Sequence, residues 1–176
     1  TTGGNHEKDG IIEIGLILVE NLEITLEKSY LIKPQIKIPD FIQKLTSISD
    51  KDVQHSPLIS DVIDEILEIM GDNILVAHNT SFDIPFFNSV LKRLGRPELE
   101  NKNICTNLMS RYLMPNLLNT NLTYMCTLFD IEHGTAHRAL DDARATANLL
   151  IIYLNIFIKK NIEKINHLYY PRNKYE

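Results

Sequence analysis

The distribution of apolar and polar positions divides the chain into a hairpin followed by alternating helices and strands. Residues 11–19 are apolar on both faces over most of their length, the pattern of a strand inside a sheet. Asn21 and Leu22 supply a hairpin tip. Ile24, Leu26, Tyr30 and Ile32 then mark a second strand over 24–32, which Pro34 ends. Residues 40–45 fit a short helix and 46–57 a polar loop closed by Pro57. Apolar residues at 58, 59, 62, 63, 66, 67, 69 and 70 recur with helical spacing, and Gly71 is a natural stop. Residues 73–77 read as a short buried strand. Ser81 is the expected cap of a helix passing through Phe86, Phe87, Val90, Leu91 and Leu94 to Gly95, with Pro85 in its first turn. Residues 103–106 suggest another strand, and 107–113 and 122–129 short helices separated by Pro115 and an Asn-rich loop. From Ala136 a last helical pattern runs through Ala139, Ala143, Ala147, Leu150, Leu154 and Phe157. Strands first, then strands alternating with helices, predict an α/β fold with a mixed β-sheet flanked by helices.

A length of 176 residues suits one domain with a sizeable core. The most apolar stretch, 149–158, is too short to span a membrane, and Asn155 and Lys159 interrupt or bound it. No signal-peptide pattern is visible. Cys105 and Cys126 have neither metal-ligand spacing nor the look of a disulfide framework, so a reduced, cytoplasmic setting is expected. The net charge of -5 argues against a protein that coats nucleic acid through a broad basic surface. It leaves open an enzyme that grips one strand end, where bound divalent metals supply the positive charge. Residues 159–176 are basic and aromatic, and read as a linker, a partner-docking tail or a partly ordered terminus.

Two clusters carry the candidate chemistry. His78-Asn79-Thr80-Ser81-Phe82-Asp83 directly follows the apolar run 74–77, at a strand–turn–helix junction. Open α/β sheets place ligands at such junctions. His137-Arg138-Ala139-Leu140-Asp141-Asp142 opens the final helix. If the junctions meet, two carboxylates and an imidazole converge. Carboxylates suit the hard ions Mg²⁺ and Mn²⁺. Two such ions about 3.5–4 Å apart can clamp a phosphate and activate water, and a histidine can take the water's proton. Each residue also has a plainer reading. Asp83, Asp141 and Asp142 can be acids that favour a helix start. His137 can be a helix N-terminal residue without a catalytic part, His78 an anchor for the loop presenting Asp83, and Phe82 a core residue. His6, His55, His133 and His167 read as solvent-exposed or structural.

Taken together, the clusters resemble the second and third motifs of the DEDDh exonucleases of the DnaQ-like (ribonuclease H-like) superfamily. His78-Asn79-x-x-Phe82-Asp83 is similar to His-Asn-x-x-Phe-Asp, and His137-x-Ala139-x-x-Asp142 to His-x-Ala-x-x-Asp. The proofreading epsilon subunit of bacterial DNA polymerase III and the PolC exonuclease domain are similar members. The family's first motif, Asp-x-Glu-Thr-Thr-Gly followed by a turn and an Ile-Ile-Glu-Ile-Gly strand, is matched in its downstream part by Thr1-Thr2-Gly3 and Ile11-Ile12-Glu13-Ile14-Gly15. The expectation is that the Asp-x-Glu strand precedes Thr1 in a longer polypeptide, or comes from a separate segment or partner. No other acid near the start replaces it well: Glu7 and Asp9 fall in the turn and Glu13 on the next strand.

The resemblance implies a ribonuclease H-like exonuclease domain over 1–158 and a metal-dependent 3′→5′ exonuclease acting on the single-stranded 3′ end of DNA, in proofreading or repair. RNA is an alternative substrate within the same fold. A catalytically silent nucleic-acid-binding or polymerase-associated module is the alternative of a different class, and a DNA polymerase subunit is a candidate partner. Two divalent ions, Mg²⁺ or Mn²⁺, would be held by Asp83 and Asp142, with His137 as general base. Thr2 and Gly3 would lie near the terminal nucleotide, with His78, Asn79 and Phe82 supporting or contacting the substrate end. On a regular helix Asp141, four residues after His137, would share its face, so the motif spacing implies that His137 precedes regular helix and leaves Asp141 as the fallback ligand.

Overall fold

The computed structural model describes residues 1–163, so most of the basic aromatic tail, 164–176, lies outside the described residues. The hairpin forms as its pattern predicts. Strands β1 (Glu13–Glu20) and β2 (Glu23–Leu31) pair antiparallel, with one bulge between Leu18 and Val19. Asn21 and Leu22 join them, both with positive φ (53° and 67°), the backbone that a two-residue turn needs to match the strands' twist. β2 turns Glu23, Thr25 and Glu27 to solvent and half-buries Ile24 and Leu26.

Three helices follow: α1 (Asp40–Thr46), α2 (Asp50–Val53) and α3 (Ile59–Met70). The one-turn α2 occupies a stretch whose composition predicts loop. Four residues are too few to display a period, and local bonds decide instead. The Ser49 backbone N–H and hydroxyl both donate to the Asp52 carboxylate, at 2.7 and 2.6 Å. This turn seats Val53 against Ile12, Ile38, Ile42 and Ile48. α3 ends at Gly71, whose φ of +44° favours glycine.

The parallel strands β3 (Leu75–Ala77) and β4 (Asn103–Cys105) flank the helix α4 (Thr80–Arg93) in sequence. Ser81 is not the cap of α4. Asn79 holds that position, and the Ser81 hydroxyl donates to Asn79 Oδ1 at 3.0 Å instead of accepting a backbone N–H. Pro85 consequently lies beyond the first turn, inside the helix. The remaining helices are α5 (Thr106–Leu113), α6 (Leu122–Leu128) and α7 (Ala139–Lys159).

The result is the mixed α/β fold expected, with helices packed on the strands. β1–β2 and β3–β4 are separate two-stranded sheets, and no described strand pairs with both. α7 ties them together by packing on β1, β2 and β3. Its start lies so close to β1 that a Cβ at Gly15 would overlap the backbone of Ala139. One core joins Ile11 and Ile32 to Ile63 and Ile66 of α3 and to Phe86 and Leu91 of α4. A second joins Met109, Met125, Leu149 and Tyr153 of α5 to α7. The buried Tyr153 hydroxyl is satisfied by Ser110 Oγ at 2.7 Å. Among the described residues no helix is long and apolar enough to cross a membrane.

Candidate active site

His78 stands just beyond β3. Its Nε2 lies 2.8 Å from the Thr120 carbonyl and its Nδ1 2.9 Å from Thr106 Oγ1. A carbonyl only accepts, so Nε2 carries the proton and Nδ1 accepts from the Thr106 hydroxyl. Burial lowers the imidazole's pKa and favours this neutral form. Nε2 thus ties the 114–121 loop to the end of β3, and Nδ1 ties that end to the start of α5 after β4. Asn79 is exposed, and its carbonyl accepts the Phe82 N–H at 2.8 Å, which sets the first turn of α4. Asp83 sits in that turn. The half-buried Phe82 ring packs at 5.6 Å edge-on to His6 and at 5.7 Å to Phe86.

The second cluster lies on the loop between α6 and α7. His137 takes a positive φ of 67° and Arg138 caps α7, so His137 does precede regular helix. Its ring is exposed and makes no hydrogen bond among the described residues. Glu13 fixes the helix start. Its carboxylate accepts the Ala139 N–H at 2.7 Å and pairs with Arg138 Nη2 at 2.8 Å, a favourable place for a negative charge. Asp141 is engaged elsewhere: it accepts the Thr135 N–H at 2.8 Å and pairs with Arg144 at 2.9 Å. Asp142 instead meets His133, whose Nε2 lies 2.6 Å from Oδ1.

His133 carried no functional signal in the sequence, and it is largely covered, its side chain 9% exposed. Spacing along an irregular loop does not report distance in space. The same limit hid the Glu13–Arg138 pair.

Asp83 and Asp142 stand on neighbouring elements, since α7, whose first turn carries Asp142, packs on β3, whose end leads into α4 and Asp83. Asp83 is exposed to water, yet the protein packed around it removes part of its hydration and pushes its carboxyl up to about 6, with the charge of Asp142 adding to the rise. Asp142 also acts on Cys126 and His78, so these side chains share one neighbourhood. The first-motif remnant packs beside Phe82, with a Cβ at Gly4 lying 4.0 Å from its ring and the His6 ring 5.6 Å from it. Thr2 is buried. Its N–H bonds the Gly10 carbonyl at 2.8 Å, and its hydroxyl bonds Asp9 at 3.0 Å. Gly3 lies so close to Asp9 that a Cβ would strike the carboxylate. Arg93 and Ser89 of α4 clamp this loop through the His6 carbonyl, at 2.5 and 2.6 Å.

Two hard oxygen donors fit an ion of the Mg²⁺ type, which keeps several waters and binds through one or two carboxylates plus substrate phosphates. They do not form a closed cage: among the described residues no group of three or more His, Cys, Asp or Glu is arranged to hold a metal.

The raised Asp83 carboxyl has a measurable consequence. A folded-state pKa above the ordinary 3.8 means that the folded chain carries a penalty once Asp83 ionises. Without metal, Asp83→Asn should stabilise the chain at pH 8. The gain should fade as pH falls through about 6 and vanish below the ordinary value. Two pKa units correspond to roughly 3 kcal/mol, and access to water reduces this to about 1 kcal/mol. Urea unfolding in EDTA at pH 8 and pH 3.5 checks it. A gain of equal size at both would rule out the ionisation as its source.

Known proteins match both the sequence and the fold. The family model described as Exonuclease matches residues 1–150. A PolC-type DNA polymerase III from Caldanaerobacter subterraneus is 36% identical over 168 residues, 96% of this chain and 12% of that protein. The chain therefore spans about an eighth of the length of this first relative. The DNA polymerase III subunit epsilon of Aquifex aeolicus is 36% identical over 150 residues, covering 85% of this chain and 74% of that protein. Among solved structures, exonuclease X in complex with 5′ overhanging duplex DNA superposes with a TM-score of 0.72 at 29% identity, over 89% of this chain and 87% of that one. With both motifs present and matches of this extent, the chain belongs to the DnaQ-like DEDDh exonuclease family.

Proposed function

We propose that this chain acts as a metal-dependent 3′→5′ exonuclease that hydrolyses the terminal phosphodiester of DNA and releases nucleoside monophosphates, in proofreading or repair. One observation carries the reading: α7, whose first turn bears Asp142, packs on β3, whose end leads into the first turn of α4 with Asp83, so the two motifs far apart in sequence stand on neighbouring elements. Asp83 and Asp142 would hold the divalent ions, Mg²⁺ or Mn²⁺. Such ions, when bound, activate water and neutralise charge on the phosphate. His137, exposed on the loop that enters α7, would take the proton of the attacking water. Thr2 and Gly3 would border the terminal nucleotide. Asn79 and the Phe82 ring would meet the substrate end, where an aromatic face supports base stacking. His78 would serve the site by fixing the loop beside it.

DNA is favoured over RNA because the relatives described above are named as DNA polymerase III proteins and exonuclease X is seen with DNA. A polymerase partner and a cytoplasmic setting belong to the same proposal. The test is incubation with 5′-labelled single-stranded DNA and RNA of one sequence in Mn²⁺. Laddering of the DNA from its 3′ end supports the proposal. Faster laddering of the RNA makes it an RNA-trimming enzyme, and no laddering of either makes it a silent binding module.

A further inference from the structure

We infer that His133 is a positioning residue for Asp142: its Nε2–H fixes one carboxylate oxygen so that the other is held ready for a divalent cation. The inference rests on the metal site proposed above. An ionised carboxylate only accepts, so the 2.6 Å contact has His133 donating to Asp142 Oδ1. Exposure divides the pair unevenly, with the His133 side chain 9% exposed and that of Asp142 34%. The donor is the covered partner, and the acid keeps an open side.

His133 is also held in place without help from Asp142. The next residue, Gly134, is packed so tightly on Asp141 that a Cβ would approach its carboxylate to 2.8 Å, and the Thr135 N–H donates to that carboxylate at 2.8 Å. Asp141 is secured in turn by Arg144, which reaches Glu27 of β2 at 2.7 Å. The two consecutive acids thus have separate tasks. Asp141 fastens the loop to the helix, and the fastened loop presents His133 to Asp142. The two loop histidines are likewise divided. The Nε2 of His133 is committed to Asp142, while the His137 ring is exposed and free of hydrogen bonds among the described residues. A carboxylate fixed in advance loses less rotational freedom on binding a cation, and hydrogen bonds to ligating groups typically affect metal affinity about 10–100-fold.

The test is calorimetric titration of Mn²⁺ into the parent chain, His133→Ala and His133→Gln. The Gln amide can place an N–H donor near the position of Nε2. Weakening of at least about tenfold in His133→Ala, with most of the affinity restored in His133→Gln, is the expected result. Unchanged or tighter binding in His133→Ala overturns the positioning role and leaves the nuclease proposal standing. Equal weakening in both variants also overturns it, since a merely structural role would give no rescue. No Mn²⁺ binding by the parent chain overturns the metal site, and this inference with it.

Discussion

Asp142→Asn should reduce the rate of 3′-end degradation at least about a thousandfold while the chain stays folded. The substitution keeps the side chain's volume, and the amide oxygen can still accept from His133 Nε2, now 2.6 Å from Oδ1. The negative charge is what disappears. A carboxylate that holds a divalent ion supports several kcal/mol of charge stabilisation in phosphoryl chemistry, and about 4 kcal/mol equals a thousandfold in rate. Initial rates on a labelled oligonucleotide in Mn²⁺, beside thermal melts in EDTA, separate chemistry from folding. A variant within tenfold of the parent would mean that Asp142 does not hold the metal, and Asp141→Asn would be the next variant to assay. With Asp141 committed to Thr135 and Arg144, that second change should instead loosen the loop.

The second large effect is expected at a residue with no chemistry of its own. Gly15→Ala should destabilise the chain by about 1–3 kcal/mol and lower activity together. The new Cβ meets the Ala139 carbonyl and the Leu140 nitrogen, which are backbone atoms and cannot rotate aside. Relief requires moving the start of α7, and that start carries both the Glu13–Ala139 bond and Asp142. Gly10→Ala is the matched control, because its Cβ would make an ordinary 3.5 Å contact with Pro34. Chemical denaturation of the pair gives the answer. Equal midpoints for the two variants would remove the steric explanation.

How far the site was legible follows from these cases. Asp83, Asp142 and His137 stand out through the resemblance to two exonuclease motifs, one at the end of a strand run and one at the start of a helix run, and that resemblance implied the place of His137 ahead of regular helix. The partners that orient them did not stand out. Glu13 reads along the chain as a polar position in an apolar strand, and only the packing of α7 on β1 brings Arg138 and Ala139 to it. His133 reads as one loop histidine among several, and only the tight passage of Gly134 over Asp141 turns it to Asp142.

The sequence by itself determined what depends on neighbours along the chain: the hairpin and its positive-φ tip, the amphipathic α3 with its glycine stop, the long α7, and the order of the motifs. These follow from periodicity and local backbone preference. Tertiary structure alone decided what depends on which surfaces meet. It made the one-turn α2 useful by burying Val53, packed α7 on β1, β2 and β3, and gave Asp141 to Thr135 and Arg144 and Asp142 to His133. Hydrogen bonds and charges act over a few ångströms of space, whatever the distance along the chain, and packing sets that separation.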